Sequence, residues 1–239
     1  MTTTSRVALV TGATEGIGRA IAFALGAERY AVGICARTAA RVTETVKALR
    51  DAGYQAAGAV ADVSHPDQVH AAVTRLVEAL GPIDTLVNNA GIGILKPFQD
   101  LTLEDWDRTM AVNLRSVYLV TREVLPGMRS RGEGAIVNVA SLAGRNPVVG
   151  GTAYAASKHA MLGFSKSLMM EVRKEGVRVV AVCPGSVRTG FGQGRTVPKV
   201  SRSGMLEPED VAEVVVAALR LPARALTSEI DLRPANPQA

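Results

Sequence analysis

Tyr154 and Lys158 stand four residues apart in the stretch YAASK. In a helix that spacing puts both side chains on one face. A free tyrosine holds its proton up to a pKa near 10. A neighbouring ammonium favours the phenolate and brings that value down, so the pair can act as a general acid and base. The same spacing is common on helix surfaces, and its surroundings must decide. Ser141 lies thirteen residues before Tyr154 at the end of an apolar run. Its hydroxyl could hold a carbonyl oxygen beside the phenol, or cap a turn. Asn113, in MAVNLRS, falls in the middle of a helical pattern, where asparagine is a poor helix former. It either binds a water that extends a proton path or is simply tolerated there.

A second cluster carries no reactive groups. In TGATEGIGRA, residues 11–20, Gly12, Gly16 and Gly18 sit between an apolar run and a helical one. A helix N-terminus offers unpaired N–H groups and a partial positive charge. A pyrophosphate placed there needs backbone free of side chains. Gly12 would make the turn, and Gly16 and Gly18 would permit close approach. The spacing is GxxxGxG rather than the general GxGxxG of dinucleotide sites. About 20 residues on, an NAD site usually offers a carboxylate to the ribose. Here the stretch reads CARTAAR: Arg37, then Thr38 and Arg41, and no acid. A guanidinium suits a 2′-phosphate, so NADP(H) is favoured and NAD(H) stays possible. Arg37 as a solvated loop residue is the alternative. Glu15 counts against a phosphate if its carboxylate turns inward.

Short, continuously apolar runs at 6–11, 31–36, 56–61, 83–88, 135–140 and 177–183 read as strands buried on both faces. Helical patterns at 17–28, 39–52, 66–80, 103–129 and 154–174 alternate with them. A helix over 208–219 precedes a possible seventh strand at 229–233. This order predicts an α/β fold, a doubly wound parallel sheet with helices on both faces. Right-handed crossovers then gather all strand C-termini on one edge. Gly12–Gly18, Arg37, Asp62, Asn89-Ala90-Gly91, Ser141 and Pro184-Gly185 each follow a strand, so all fall on that edge.

Taken together, TGATEGIG, Asp62-Val63, NNAG, Asn113, Ser141, YAASK and PGSVRT resemble the short-chain dehydrogenase/reductase family, in the family's order over residues 6–189. The resemblance implies a Rossmann fold and hydride transfer between a nicotinamide and a carbonyl or alcohol carbon. It makes Tyr154 the acid/base and gives Lys158 two tasks, lowering its pKa and bonding the nicotinamide ribose. Ser141 would orient the substrate oxygen and Asn113 would hold a relay water. Thr14, Glu15 and Ile17 join the loop glycines as cofactor contacts. Asp62 and Val63 would flank the adenine. Asn89, Ala90 and Gly91, with Pro184 and Gly185, would line the cofactor, and Thr189 with the Val187 backbone would meet the carboxamide. The family also implies a homodimer or homotetramer through helices 103–129 and 154–174.

The substrate is less legible. Residues 186–206 hold Arg188, Arg195, Lys199 and Arg202 and no acid, and read as a substrate lid. Their charge suggests an anionic carbonyl or alcohol substrate, or else a solvated basic loop. Arg129 and Arg131 would extend the basic surface toward the same rim. The ending SEIDLRPANPQA lacks the glycine-rich segment of fatty-acid reductases and resembles members acting on small ketones, semialdehydes or hydroxy acids. A 3-oxoacyl carrier-protein reductase is the alternative. A non-catalytic dinucleotide sensor or scaffold is the alternative of another class.

The 239 residues are 47% hydrophobic and 21% charged, enough for a core, and no linker divides them, so one domain is expected. The net charge of +5 is spread along the chain without a basic, aromatic-interleaved segment, which argues against nucleic acid. No signal peptide or membrane span is read, and Cys35 and Cys183 look like buried thiols of a cytoplasmic protein. The three histidines show no metal spacing.

Overall fold

The computed structural model describes residues 6–191 and 204–235. Seven strands, β1 (Val7–Thr11), β2 (Ala31–Ala36), β3 (Ala56–Val60), β4 (Thr85–Asn88), β5 (Gly134–Val139), β6 (Val177–Pro184) and β7 (Glu229–Leu232), form one sheet in the order β3-β2-β1-β4-β5-β6-β7. Every pairing is parallel. This is the doubly wound Rossmann arrangement expected from the sequence. The chain turns from one half of the sheet to the other between β1 and β4, which opens a crevice at their carboxyl ends.

Strand side chains alternate between two apolar layers. Val10, Val32, Val87, Val137 and Val182 point to the layer that takes Ile21 and Leu25 of α1 (Gly16–Ala27), Leu49 of α2 (Ala39–Asp51) and Val215 of α7 (Pro208–Arg220). Leu9, Leu86, Ile136 and Val179 point the other way. They meet Leu76 of α3 (Pro66–Leu80), Val120 and Met128 of α5 (Ser116–Arg131) and Val172 of α6 (Thr152–Val172). Burial on both faces explains why the strands are apolar throughout rather than alternating.

The helix expected over 103–129 runs without a break but is not α-helical throughout. α4 (Leu103–Met110), opened by a capping box between Thr102 and Asp105, passes into a π-helical turn at Ala111–Arg115 before α5 begins. Asn113 sits in that turn. A wider turn turns one residue out of helical phase, a feature that frequently marks functional sites. A single 3₁₀ turn, Leu142–Gly144, follows β5.

Candidate active site

The loops after β1 and β4 are stitched together by side chains. The Thr11 hydroxyl accepts from the backbone N–H groups of Asn89 and Ala90, at 3.0 and 3.1 Å. The Asn89 amide donates to the carbonyls of Thr11 and Gly12, at 3.0 and 3.1 Å. Asn89 therefore spends its amide on holding the two loops, and the Ala90-Gly91 backbone follows beside them. Gly12 has φ +64, and a Cβ there would lie 2.8 Å from the Ala90 Cα. Gly16 has φ +52 and faces the Thr189 methyl, which a Cβ would meet at only 3.0 Å. A Cβ on Gly18 would overlap both the Asn89 amide and the Gly12 carbonyl, so this glycine serves the contact between helix and strand. The result is bare backbone at the N-terminus of α1, a cradle of the kind a pyrophosphate requires.

Glu15, the residue before α1, turns its carboxylate to Arg41 on α2, at 2.8 Å, with both side chains exposed. Arg37 is exposed at the end of β2, and its charge acts on Asp62. Burial alone would raise the Asp62 carboxyl. Bonds from the Ser64 hydroxyl (2.7 Å) and amide (2.9 Å), with Arg37 behind them, hold it below its usual value. Thr38 precedes α2 in extended conformation. The Val63 side chain is buried in the α3–α5 layer, so its backbone is what it offers to the rim. Thr14 and Ile17 lie in and just after the glycine turn, partly buried.

The residues expected to carry the chemistry lie on the other side of the crevice. Lys158 is buried on α6, and its Nζ donates to the Val139 carbonyl at the end of β5, at 2.9 Å. Burial pushes its pKa down to about 8. The Tyr154 ring lies one turn earlier, 5.9 Å from that Nζ to its centroid. Asn113 Oδ1 accepts from the Ile92 N–H (2.8 Å), and its Nδ2 donates to the Ile92 carbonyl (2.9 Å) and to Ser157 Oγ (3.0 Å). Ser157 Oγ in turn donates to the Tyr154 carbonyl, at 2.7 Å. A Cβ on Gly91 would stand 3.3 Å from Asn113 Oδ1 and 3.8 Å from Lys158 Nζ, so this glycine leaves both atoms within reach. Ser141 caps the 3₁₀ turn by accepting from the Ala143 N–H at 3.1 Å. An accepted bond leaves the hydroxyl proton available to a carbonyl oxygen, so the two readings of Ser141 are compatible.

The segment after β6 is tied down at its start. Gly185 N–H donates to the Leu232 carbonyl, and Val187 bridges Leu206, with Arg188 N–H on the Leu206 carbonyl and Leu206 N–H on that of Ser186, each at 2.8 Å. Pro184 ends β6. Arg188 pairs with Glu207 at 3.0 Å. Arg195, Lys199 and Arg202 lie outside the described residues, as does most of the expected lid. Arg129 and Arg131 do not extend the site's basic surface. α5 returns to the opposite edge of the sheet, where Arg129 pairs with Glu175 and Arg131 donates to the Ile83 carbonyl. Sequence reasoning passed over Ser157, although a serine inside YAASK on an apolar helix is itself a signal. It also passed over the Ile92 and Val139 backbone and Phe191, whose ring meets Tyr154.

The family model for short chain dehydrogenases matches residues 6–198. A protein assigned as the ketoacyl reductase of the monensin polyketide synthase in Streptomyces virginiae is 50% identical over 192 residues, 80% of this chain and 74% of that protein. A variant of actinorhodin polyketide ketoreductase, solved with NADPH, superposes with a TM-score of 0.89 at 38% identity, covering 96% of each chain. A 3-ketoacyl-ACP reductase from Sinorhizobium meliloti 1021 gives 0.84 at 38% identity, over 94% of this chain and 97% of that one. With its fold, glycine turn and Tyr-Lys helix on one rim, the chain belongs to the short-chain dehydrogenase/reductase family, a family of NAD(P)-dependent oxidoreductases.

Proposed function

We propose that this protein is an NADPH-dependent ketoreductase whose substrate is a 3-oxoacyl thioester. The observation that carries the reaction is the buried Lys158 beneath Tyr154, beside a glycine-lined helix terminus. The ketoacyl reductase relatives favour the thioester over the small ketones, semialdehydes and hydroxy acids read from the C-terminal sequence. The NADPH held by the actinorhodin enzyme supports the same cofactor here. Arg37, in a stretch after β2 that itself carries no acid, suits the 2′-phosphate.

A dinucleotide held by the glycine turn at its pyrophosphate and by Lys158 at its ribose would supply the hydride. Ser141 donates its hydroxyl proton to the ketone oxygen and fixes it near the phenol. Tyr154 gives its proton to that oxygen as negative charge develops there. The Lys158 ammonium stabilises the phenolate that remains and bonds the ribose. Asn113 and Ser157 hold the first turn of α6 against the β4–α4 loop. Helices α5 and α6, with Tyr118 and Met170 exposed, suit contacts in a homo-oligomer. None of the described helices is long and apolar enough to cross a membrane, which suits a cytoplasmic enzyme.

The test is NADPH consumption with a 3-oxoacyl thioester, beside a panel of small free ketones and semialdehydes and with NADH as paired control. Thioester turnover with NADPH, lost in Tyr154→Phe while NADPH still binds, is the expected result. Turnover of free carbonyls alone would reject the thioester. Unchanged turnover in Tyr154→Phe would reject Tyr154 as the proton donor.

A further inference from the structure

We propose that Phe191 is the wall that limits what reaches Tyr154, and that Gly93 is the notch that seats it; this rests on the ketoreductase reading above. The Phe191 ring packs on the Tyr154 ring at 5.7 Å between centroids and 54° between planes, within the range of attractive aromatic pairs. Lys158 lies against the same tyrosine, its Nζ 5.9 Å from the ring centroid and bonded to the Val139 carbonyl. A carbonyl that approaches Tyr154 on the Phe191 side meets that ring first.

The position of the ring is specified from two directions. Its outer edge lies against the β4–α4 loop, where a Cβ on Gly93 would be 2.7 Å from Phe191 Cε1 and 3.1 Å from Cζ. A Cβ at the first distance would push the ring away from this seat, so glycine at 93 is what lets Phe191 lie where it does. From below, Thr189 packs its methyl on the glycine turn at Gly16, and its hydroxyl accepts from the Phe191 N–H at 3.2 Å. The same residue is thus anchored at the cofactor cradle and carries the chain to the substrate side.

Phe191 is also spare from the standpoint of folding. It is 46% exposed and belongs to none of the core clusters. A large apolar ring held half in solvent over an acid/base group has a steric task. It narrows the space beside the ketone carbon and favours substrates with a small group there. Hydrophobic pockets discriminate by about 10- to 200-fold per methylene-scale change, so one ring suffices to set acyl length.

The experiment compares wild type, Phe191→Ala, Gly93→Ala and the double variant. kcat/KM is measured with NADPH and two N-acetylcysteamine thioesters, 3-oxobutanoyl and 3-oxooctanoyl. Phe191→Ala should raise the long-to-short ratio by about tenfold or more. Gly93→Ala should raise it too, because the displaced ring no longer covers Tyr154, and the double variant should add nothing. A ratio within twofold of wild type in Phe191→Ala overturns the proposal. A second readout is independent of turnover. Acetylation by N-acetylimidazole, mapped by mass spectrometry, reports access to Tyr154, with Tyr54 as internal reference. The Tyr154-to-Tyr54 ratio should rise several-fold in both single variants, and an unchanged ratio overturns the proposal. If wild type reduces neither thioester nor any free ketone, the ketoreductase reading falls, and the acetylation ratio still decides whether Phe191 guards Tyr154.

Discussion

The two edges of the sheet are finished by different means. At the amino-terminal edge, long charged side chains close off loose backbone groups in partial contact with water. Asp84 accepts from the Val7 N–H at 2.8 Å, and Arg131 donates to the Ile83 carbonyl at 2.7 Å. Arg50 donates to the Ala56 carbonyl, and Arg178 to those of Leu219 and Leu221. At the carboxyl-terminal edge the equivalent work is done by buried side chains, two of them short and one a lysine. Asn113, Ser157 and Lys158 are all buried, and each bonds a backbone carbonyl. Cations that keep contact with water tolerate small movements of the chain they cap. A buried amide or hydroxyl without its partner costs about 1–3 kcal/mol, so the second edge is held to one geometry. On the proposed reading, the difference separates an edge that only ends the sheet from one that positions reacting atoms.

Lys158→Met should break this contrast most sharply, because the lysine is a charge on the dry edge. Activity should fall by about 10²–10⁴-fold with loss of the group that supports the phenol. Stability should move the other way. The folded-state pKa is lowered from 10.5 to about 8 by burial. Between those values the unfolded chain holds a proton that the folded chain lacks, so wild-type stability rises with pH across that window. Below about pH 8 the charged lysine sits in the site at its full cost, on the order of 3 kcal/mol before relaxation. The methionine variant should therefore unfold at higher urea than wild type at pH 7, with the gap shrinking toward pH 10. A variant less stable at pH 7 would mean that the lysine braces the fold as the edge arginines do.

Ser157→Ala should have the next largest effect. It strips the Asn113 Nδ2 of one acceptor and frees the Tyr154 carbonyl from its bond. The expected stability loss is about 1–3 kcal/mol. kcat should drop with little change in the KM for NADPH, since the glycine cradle is untouched. Ser157→Thr restores the hydroxyl and should recover most of kcat. If threonine rescues stability but not kcat, Ser157 only packs.

The contrast between the edges also explains what could be read in advance. Apolar runs and their order specify the sheet, because parallel strands buried on both faces leave a plain signature. Glycine spacing and the Tyr-Lys interval are local, so they survive in one dimension. The π turn at Ala111–Arg115 left no such mark, since one extra residue in a helical turn disturbs periodicity less than a proline does. The Phe191–Gly93 contact joins two loops far apart in sequence, and neither residue signals the other. Arg129 and Arg131 carry charge but no direction in the sequence, which is why the rim looked open to them. A helix that starts at the carboxyl edge must end at the amino edge, and α5 delivers both arginines there.

Arg131→Ala should have the smallest effect, and it tests the contrast from the quiet side. Arg131 Nη2 reaches Asp84 Oδ1 at 3.3 Å with both side chains about one-third exposed. Partly exposed ion pairs contribute roughly 0.2–1 kcal/mol, and the bond to the Ile83 carbonyl adds a similar amount. The expected change is a small drop in urea midpoint. Asp84→Ala should cost more, because Asp84 also accepts the first N–H of β1. Neither variant should alter kcat/KM, because the sheet's buried strands separate these residues from Tyr154. A fall in kcat/KM larger than the stability loss accounts for would show that the loops at the amino-terminal edge set the height of β4 and β5, and with them the Val139 carbonyl that holds Lys158.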